Sequence, residues 1–424
     1  MSRIIALCDV NNCFASAEAV FDPRLINKPL VVLSNNDGCA IARSKEAKQM
    51  QIKMGQPYFE IKHLQRKGLL IRSANFSLYT NLSERIRSIL ENLSPSVVPY
   101  SIDESFIDLS GIELKSLEEY GRIIKNTIYQ QTSMPVGVGI AETKTLAKAA
   151  NWAAKKYSKT NGIVNIAGDA AKRKRLLNIM PVNEIWGIGR ALSRRLNHTN
   201  ITTALELSQL NPSLIQQHYG VVLSRTIQEL NGIEVLEWQP DYSLNKQIIA
   251  SRSLSQKTGD RAILLTAIAN HVSRGTKKLR AQQGVAKSVS VFLRTNKHIR
   301  KNDHHKFSCN VELLHPSSDN RLFLQAARKA FERIYSPHQQ YVSCGIAIHD
   351  IVSVKNLQLD LFSTQTIDTK TTLLMGLLDQ LNRRFGQGIV QYGSESVSRQ
   401  WKSRSEWRSP DYTGNWDELP RVMG

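Results

Sequence analysis

Apolar and polar positions follow two patterns along roughly the first 165 residues. Short runs of consecutive apolar residues, typical of buried strands, lie at 3–10, 28–33, 96–110, 135–141 and 162–166. Apolar residues spaced three and four apart, typical of helices, lie at 40–50, 84–93, 117–132 and 145–157. Because strands and helices interleave, this part of the chain is predicted to form a sheet layered with helices.

The pattern changes twice in the rest of the chain. Residues 170–235 are helical and rich in turns, and 240–246 (PDYSLNK) have the composition of a linker. Predicted strands then lie at 247–256, 287–295, 307–314 and 341–352, and predicted helices at 265–282 and 321–335. The sequence therefore predicts a helical module followed by a separate module of strands and helices.

Positive charge is the strongest compositional signal. The formal charge is +20, and residues 245–350 hold 18 Lys and Arg against 6 Asp and Glu. Residues 351–424 hold 9 against 8 and are nearly neutral. A concentrated basic block indicates a module that contacts the phosphates of a nucleic acid.

Other compositional features point to a cytoplasmic protein. The five cysteines are scattered, odd in number and without a CxxC pair, which is typical of a reducing compartment. No apolar run approaches the roughly 20 residues of a membrane-spanning helix. The N-terminus is predicted to open a strand and not a signal peptide.

Two adjacent acids, Asp103 and Glu104, interrupt the apolar frame of SIDESFIDL at 101–109. Neighbouring residues of a regular strand point to opposite faces, so both carboxylates can serve one site only at a strand end or turn. Buried carboxylates need cations or donors, and a hard divalent ion such as Mg²⁺ takes oxygen ligands. A metal site at this junction is one hypothesis.

A third carboxylate, Asp9, ends the first predicted strand. Acids at neighbouring strand ends can hold two Mg²⁺ ions about 3.5–4 Å apart, the spacing that serves in-line phosphoryl transfer. Ordinary strand-end acids facing water are the more frequent explanation of so short a motif, and nearby Asp108 is assigned no role. The acids alone leave both explanations open.

Five motifs occur in order and at suitable spacing. They are CDVNNCFASAE (8–18), VVLSNNDGCAIARS (31–44), YSIDESFIDL (100–109), VGVGIAETKTLAKAANWAAKK (136–156) and WGIGR (186–190). Together they resemble the Y-family translesion DNA polymerases, and most closely the UmuC branch, which comprises the catalytic subunit of bacterial DNA polymerase V and its plasmid-borne relatives. The resemblance covers essentially the whole chain.

The resemblance implies an α+β fold shaped as a right hand. It implies a ferredoxin-like palm (1–20 and 77–168), small fingers (21–76), a helical thumb with a helix–hairpin–helix (169–238), an α/β little finger (245–352) and a C-terminal interaction tail (353–424). The basic block matches the little finger, which in this family lies along the DNA duplex.

The resemblance also implies roles for single residues in the palm and fingers. Asp9, Asp103 and Glu104 match the catalytic acids that ligate two Mg²⁺ ions, with the Val10 carbonyl as a further metal ligand. Phe14 matches the steric gate that rejects a ribose 2′-hydroxyl, although the closest relatives usually have Tyr there and a core aromatic is the alternative. The residues that match triphosphate ligands are Arg43, Lys48 and Lys159, each of which a solvated helix position would also explain.

Further implied contacts involve DNA and protein partners. In the thumb, Gly187, Gly189 and Arg190 match a turn that binds DNA phosphate, with a glycine turn between packed helices as the alternative. In the little finger, the candidate DNA contacts are Arg252, Lys278 and Arg294. In the tail, QLDLF resembles a peptide that binds the sliding clamp through Gln358, Leu359, Leu361 and Phe362, with one turn of a core helix or strand as the alternative.

The last stretch, 399–420, carries three Trp among charges and suggests a partner surface. The resemblance implies a processed UmuD-like dimer and RecA as protein partners, besides primer–template DNA and dNTP.

The sequence therefore predicts an error-prone translesion polymerase of the SOS response that transfers dNMP to a primer 3′-hydroxyl. Two alternatives use a similar palm. A nucleotidyl cyclase needs no basic DNA module, and a non-catalytic DNA-binding subunit would have no use for all three acids.

Overall fold

A computed structural model describes the chain at residues 3–238, 244–296, 306–357, 369–386, 388–395 and 404–419. The chain divides into two compact units. The first comprises Met1–Asp241 with Glu406–Gly424, and the second comprises Tyr242–Ser405. None of the helices in the described ranges is long and apolar enough to cross a bilayer.

Strands and helices interleave in the first part of the first unit. The strands are β1 (Ile5–Val10), β2 (Leu30–Leu33), β3 (Ala40–Arg43), β4 (Leu70–Ser73), β5 (Val97–Pro99), β6 (Glu104–Asp108), β7 (Val136–Ala141) and β8 (Ile163–Asn165). The helices are α1 (Cys13–Phe21), α2 (Lys45–Gln49), α3 (Tyr58–Ile61), α4 (Phe76–Leu93), α5 (Leu117–Thr132), α6 (Lys144–Lys156), α7 (Ala170–Ile179), α8 (Arg190–His198), α9 (Ala204–Ser208), α10 (Pro212–Tyr219) and α11 (Val221–Leu230).

The larger sheet of the first unit has the strand order β5-β6-β1-β7-β8. Its central strand β1 is antiparallel to both β6 and β7. All of β1 is buried, because α6 packs on one face of the sheet and α4 and α5 pack on the other. This packing fixes the end of β1 beside the start of β6, where the predicted acids lie.

Gly139 lies in β7 where α6 passes closest. A Cβ atom there would overlap the backbone of Ala147 and Asn151 in α6. We expect Gly139→Ala to lower the free energy of unfolding by at least about 1 kcal/mol, because helix and strand would have to separate. Gly137→Ala is the matched control, since its Cβ would meet atoms no closer than 3.5 Å. Thermal unfolding of the two variants checks this, and equal stability would contradict it.

The smaller sheet has the strand order β3-β2-β4. The sequence pattern predicts one helix over 40–50, and this prediction is wrong at its start. Residues Ala40–Arg43 pair with β2 as strand β3. The Ser44 side chain accepts a hydrogen bond from the Ala47 amide and caps α2. A helix begins at such a cap, so the residues before it are free to extend the sheet.

Helices α7 to α11 complete the described helical part of the first unit. Their apolar faces share one core with α6, formed by residues such as Leu176, Leu207 and Ile227 against Leu146. The helical, turn-rich pattern of 170–235 thus packs on the α6 side of the larger sheet.

The described part of the second unit contains a sheet and three α-helices. Its strands are β9 (Ile248–Thr258), β10 (Gly284–Thr295), β11 (Lys306–Ser317) and β12 (Tyr341–Ser353), and its helices are α12 (Arg261–Ala281), α13 (Asn320–Ile334) and α14 (Thr369–Arg384). The strand order is β11-β10-β12-β9. Helices α12 and α13 cover one face, and Arg280 joins α14 through a bidentate ion pair to Asp379 at 2.7 and 2.8 Å.

Residues 406–419, here named the C-terminal strap, belong to the first unit. Trp407 packs against the core of the smaller sheet and Tyr412 against that of the larger. Trp416 is 88% exposed, and Trp401 lies outside the described residues. Of the two described tryptophans of 399–420, therefore, only Trp416 offers a free surface.

Candidate active site and nucleic-acid interface

The end of β1 and the start of β6 bring two of the predicted acids together. Asp9 is the direct cross-strand partner of Glu104, and their carboxyl groups lie within hydrogen-bonding reach. Asp9 is buried, with 8% of its surface exposed, whereas Glu104 is partly exposed. Two adjacent carboxylates repel each other when both are ionised, so this position requires positive charge.

Two lysines of α6 supply positive charge here. Lys155 forms an ion pair with Asp9, and Lys148 forms one with Glu104 at 2.8 Å. The lysines are seven residues apart, about two helical turns, so both project from the same side of α6. The sequence analysis missed them, although this spacing within 145–157 was an available signal.

The environment of Asp9 favours its neutral form. Burial raises the pKa of Asp9, Lys155 opposes this shift, and the charge and hydrogen bond of Glu104 add to it, so that the resulting pKa is about 7. The positive charge of Lys155 therefore does not fully compensate the negative charges of Asp9 and Glu104. Additional positive charge at the pair would restore the ionised form.

Asp103 lies beside this pair, and its carboxylate has a different partner. The Val10 amide donates to the Asp103 carbonyl at 2.9 Å, while the Asp103 carboxylate accepts a hydrogen bond from the Ser101 hydroxyl. Burial raises the pKa of the Cys13 thiol to about 12, with further contributions from Asp103 and Asp9. Both acids thus lie within electrostatic reach of the same thiol.

The donor set suits a hard divalent cation. Asp9, Asp103 and Glu104 offer carboxylate oxygens at adjoining strand ends, and such oxygens are the ligands that Mg²⁺ prefers. In the described part of the chain, no group of three or more His, Cys, Asp and Glu side chains is arranged as a metal site. The structure brings Asp9 and Glu104 together and turns the Asp103 carboxylate to Ser101.

Phe14, the predicted steric gate, is the second residue of α1 and packs against two other aromatic rings. Its ring stacks on Tyr79 with centroids 4.4 Å apart and an interplanar angle of 12°. Phe76 meets it edge-on at 5.8 Å. Phe14 is partly buried against the core of the larger sheet, so its ring is supported from behind while part of it stays exposed.

Lys48 of α2 reaches toward the end of β1. Its ammonium donates to the Asn12 side-chain oxygen at 2.5 Å. Burial lowers the pKa of Lys48, as do the charges of Arg43 and Lys155, while Asp9 opposes them. Arg43 donates to the Ile52 carbonyl at 2.7 Å. The two predicted triphosphate ligands of the smaller sheet region therefore share an electrostatic neighbourhood with Asp9.

Lys159 stands in the turn before β8, at the sheet end where Asp9 lies. It lines a cleft of about 440 Å³. Other cations of this cleft are Arg122, Lys125 and Lys172.

The WGIGR segment forms a tight turn into α8. Gly187 has a φ of 86°, which favours glycine. Gly189 is the N-cap residue of α8, and no side chain caps that helix start. A Cβ at either glycine would meet nothing within 4 Å. Exposed Arg190 follows, so amides and a cation are presented together, as an anion site requires.

The predicted DNA contacts of the second unit lie on different surfaces. Arg252 pairs across strands with Cys344, which faces the helix-covered side. Lys278 is exposed on α12. Arg294 alternates with core-facing Leu293 and therefore lies on the open face of the sheet, over the Phe292 ring at 5.2 Å.

The open face of the second unit carries a polar ladder that the sequence analysis missed. His349 is hydrogen-bonded to Gln247 and to Ser290, both at 2.9 Å. Ser290 in turn reaches Asn310 at 3.0 Å. The alternation of Ser and Asn with apolar residues in β10 and β11 is the sequence pattern that indicates such a row of polar side chains. Small hydroxyl and amide side chains on an open sheet suit close approach to a phosphate backbone.

The predicted clamp-binding peptide lies outside the described residues. Its members are Gln358, Leu359, Leu361 and Phe362.

Comparison with known families covers most of the chain. A model described as the impB/mucB/samB family matches residues 8–151, and one described as the C-terminal domain of that family matches 245–361. A third, described as a domain of unknown function, matches 373–422.

Individual relatives match over the full length. UmuC of Salmonella typhimurium strain LT2 is 39% identical over 422 residues, which cover 99% of this chain and 100% of that protein. ImpB of Salmonella typhimurium is 36% identical over 420 residues, covering 98% and 99%. DNA polymerase IV of Oceanobacillus iheyensis is 28% identical over 395 residues, covering 92% and 91%.

Among solved structures, a Y-family DNA polymerase chimera of Dbh and Dpo4 has a TM-score of 0.63 at 22% identity, covering 82% of this chain and 99% of that one. The fold is therefore that of the Y-family DNA polymerases, which confirms the predicted fold class. The chain belongs to the impB/mucB/samB family, the UmuC branch of these polymerases. Its function as an error-prone translesion DNA polymerase, fitting the SOS context of that branch, is likewise confirmed at the level of the family.

Proposed function

We propose that Asp9, Asp103 and Glu104 form the catalytic centre of this polymerase and hold two Mg²⁺ ions, with the Val10 carbonyl as a further ligand. The observation that carries this proposal is the cross-strand pairing of Asp9 with Glu104, which brings two carboxyl groups together at one end of the larger sheet. When bound there, Mg²⁺ supplies activation of the primer 3′-hydroxyl and neutralises the leaving pyrophosphate. Lys155 and Lys148 favour the ionised carboxylates that can hold a cation.

Lys48, Arg43 and Lys159 orient the triphosphate. Lys48, whose side chain is exposed, serves as a point charge toward the phosphates. Arg43 retains further guanidinium donors beyond the bond to Ile52. Lys159 approaches from the β8 side of the same sheet end. These cations set the α-phosphate beside the acids, which is the positioning that phosphoryl transfer requires.

DNA contacts come from the first unit and from the second. The α8 turn at Gly187, Gly189 and Arg190 binds one phosphate through amides and a cation. In the second unit, the open sheet face with Arg294 follows the duplex without reading its sequence, while Arg252 and Lys278 act from other surfaces.

The contribution of Arg294 is testable by salt dependence. We expect Arg294→Ala to weaken binding to duplexes of unrelated sequence by the same factor. The slope of log K against log salt concentration should fall by about 1, because one phosphate contact is lost. Arg261→Ala is the matched control, since Arg261 is paired with Glu332. Titration of labelled duplexes at several salt concentrations checks this, and a sequence-dependent loss would contradict it.

Three protein partners are proposed by analogy with the UmuC branch. They are a processed UmuD-like dimer, RecA, and the sliding clamp through residues 358–362.

Primer extension past an abasic site tests the proposed function. The purified chain is assayed with Mg²⁺, alone and with the UmuD-like dimer and activated RecA, and Asp103→Ala serves as the inactive control. Extension that needs Asp103 supports the polymerase. Cyclic nucleotide formation without a template would indicate a cyclase, and DNA binding without extension under any condition would indicate a non-catalytic subunit.

A further inference from the structure

The C-terminal strap is joined to the smaller sheet of the first unit by a single parallel bridge between Ser73 and Arg408. The Ser73 amide donates to the Trp407 carbonyl at 3.1 Å, and the Trp407 amide donates to the Ser73 hydroxyl at 3.0 Å. Ser73 ends β4, an edge strand of that sheet. These two hydrogen bonds anchor Trp407 at the edge of the smaller sheet.

Aromatic rings hold the strap at two points. Trp407 contacts Tyr58 with ring centroids 5.1 Å apart. Tyr412 stacks on Phe21 at 5.0 Å with an interplanar angle of 8°. Ring pairs of this kind stabilise the contact beyond the burial of their apolar surface. The strap is thus bound on both sides of Ser409.

Between these rings, the strap is hydrogen-bonded to the residue that precedes α4. The side-chain amide of Asn75, which is fully buried, donates to the Ser409 hydroxyl at 2.9 Å and to the Pro410 carbonyl at 3.2 Å. Arg408 donates to the Asn75 side-chain oxygen at 3.3 Å. These hydrogen bonds to the strap therefore fix the start of α4, which carries Phe76 and Tyr79.

Ser409 is also connected, through the buried Glu18 side chain, to Tyr79, on which the Phe14 ring stacks. Its hydroxyl donates to Glu18 at 3.2 Å, and the Tyr79 hydroxyl donates to the same Glu18 oxygen at 2.6 Å. Glu18 is 1% exposed, and its nearest cation, Arg72, is 4.0 Å away. A buried carboxylate with so few donors depends on each of them, because water cannot replace a lost one.

We infer that Ser409 is a positioning residue for sugar selection. It fixes Glu18, Glu18 fixes Tyr79, and the Tyr79 ring backs Phe14 at 4.4 Å. This rests on the proposed role of Phe14 as the gate. The inference also gives a role to part of residues 373–422, which match a domain of unknown function. The strap supports Phe14 through Glu18 and Tyr79 and thereby sets how closely a nucleotide sugar can approach.

The test measures kcat and KM for a dNTP and for its rNTP counterpart with Ser409→Ala. We expect the preference for dNTP to fall about 3- to 10-fold, because one hydrogen bond to the buried Glu18 is lost. The change should appear mainly as a lower KM for rNTP. Ser409→Thr keeps the hydroxyl and should restore the preference. Thr413→Ala removes a strap hydroxyl that makes no hydrogen bond to Glu18 in the described structure, and should leave the preference unchanged.

A second variant distinguishes the loss of this hydrogen-bond connection from misfolding caused by Ser409→Ala. Tyr79→Phe keeps the ring and removes the hydroxyl, so it should reproduce the shift, and the double variant with Ser409→Ala should add little, because both act through Glu18. A purely structural role of Ser409 would lower the melting temperature and affect both nucleotides equally, which would overturn the inference. Failure of the gate itself is distinguishable, since Phe14→Ala would then leave sugar preference unchanged. An effective Phe14→Ala beside inert Ser409→Ala and Tyr79→Phe would overturn only the role of the strap.

Discussion

Asp9→Asn is expected to reduce the rate of nucleotide incorporation by roughly 10³-fold, equivalent to about 4 kcal/mol of transition-state stabilisation. The amide keeps the shape of Asp9 and removes the charge that pairs with Lys155 and would hold a metal ion. Single-turnover extension of a primed template with saturating dNTP and Mg²⁺ measures the effect. Activity within tenfold of the unmodified chain would contradict the assignment of Asp9 as a metal ligand.

Asp108→Asn provides the matched control for Asp9→Asn. Asp108 ends β6, the strand that Glu104 begins, but its carboxylate is bonded to Arg3 at 2.6 Å, away from the paired acids. Its loss removes a structural ion pair, so we expect a lower melting temperature with incorporation largely retained. Equal loss of activity in both variants would show that any acid of this sheet is needed for folding and not for chemistry.

The sequence predicted the acids because strand patterns are local. The apolar runs at 3–10 and 96–110 place Asp9 and Glu104 at strand ends, and antiparallel pairing then brings the two ends together. Orientation of a side chain away from the strand axis is not local. The turn at Ser101 directs the Asp103 carboxylate, and nothing in the alternation of SIDESFIDL indicates that.

Contacts between distant parts of the chain escaped the sequence analysis for a different reason. Lys155 and Lys148 contact the acids because α6 packs on the sheet with that side of the helix turned toward them. Ser409 meets Glu18 across 391 positions of sequence, and the composition of the tail indicates only an exposed aromatic segment. The periodicity of apolar residues predicts which side of a helix or strand is buried. Which other element packs against that side depends on the tertiary fold.

Phe14 shows where a motif and a fold make different demands on one residue. A ring packed on Tyr79 and Phe76 is what a core aromatic requires, and a partly exposed ring at the start of α1 is what a sugar gate requires. The two roles differ in what removal of the ring does. Loss of a core ring costs stability alone, whereas loss of a gate opens space for the 2′-hydroxyl of a ribonucleotide.

Phe14→Ala is therefore expected to raise incorporation of rNTP relative to dNTP by about 10- to 200-fold, the range that a single apolar contact contributes to discrimination. Phe14→Tyr keeps a ring of the same width on Tyr79 and should retain the preference for dNTP. Competing extension reactions with matched dNTP and rNTP measure the ratio, and thermal unfolding of the same samples measures stability. A destabilised Phe14→Ala with an unchanged ratio would assign Phe14 to the core, because a gate acts on the ratio whatever the stability of the fold around it.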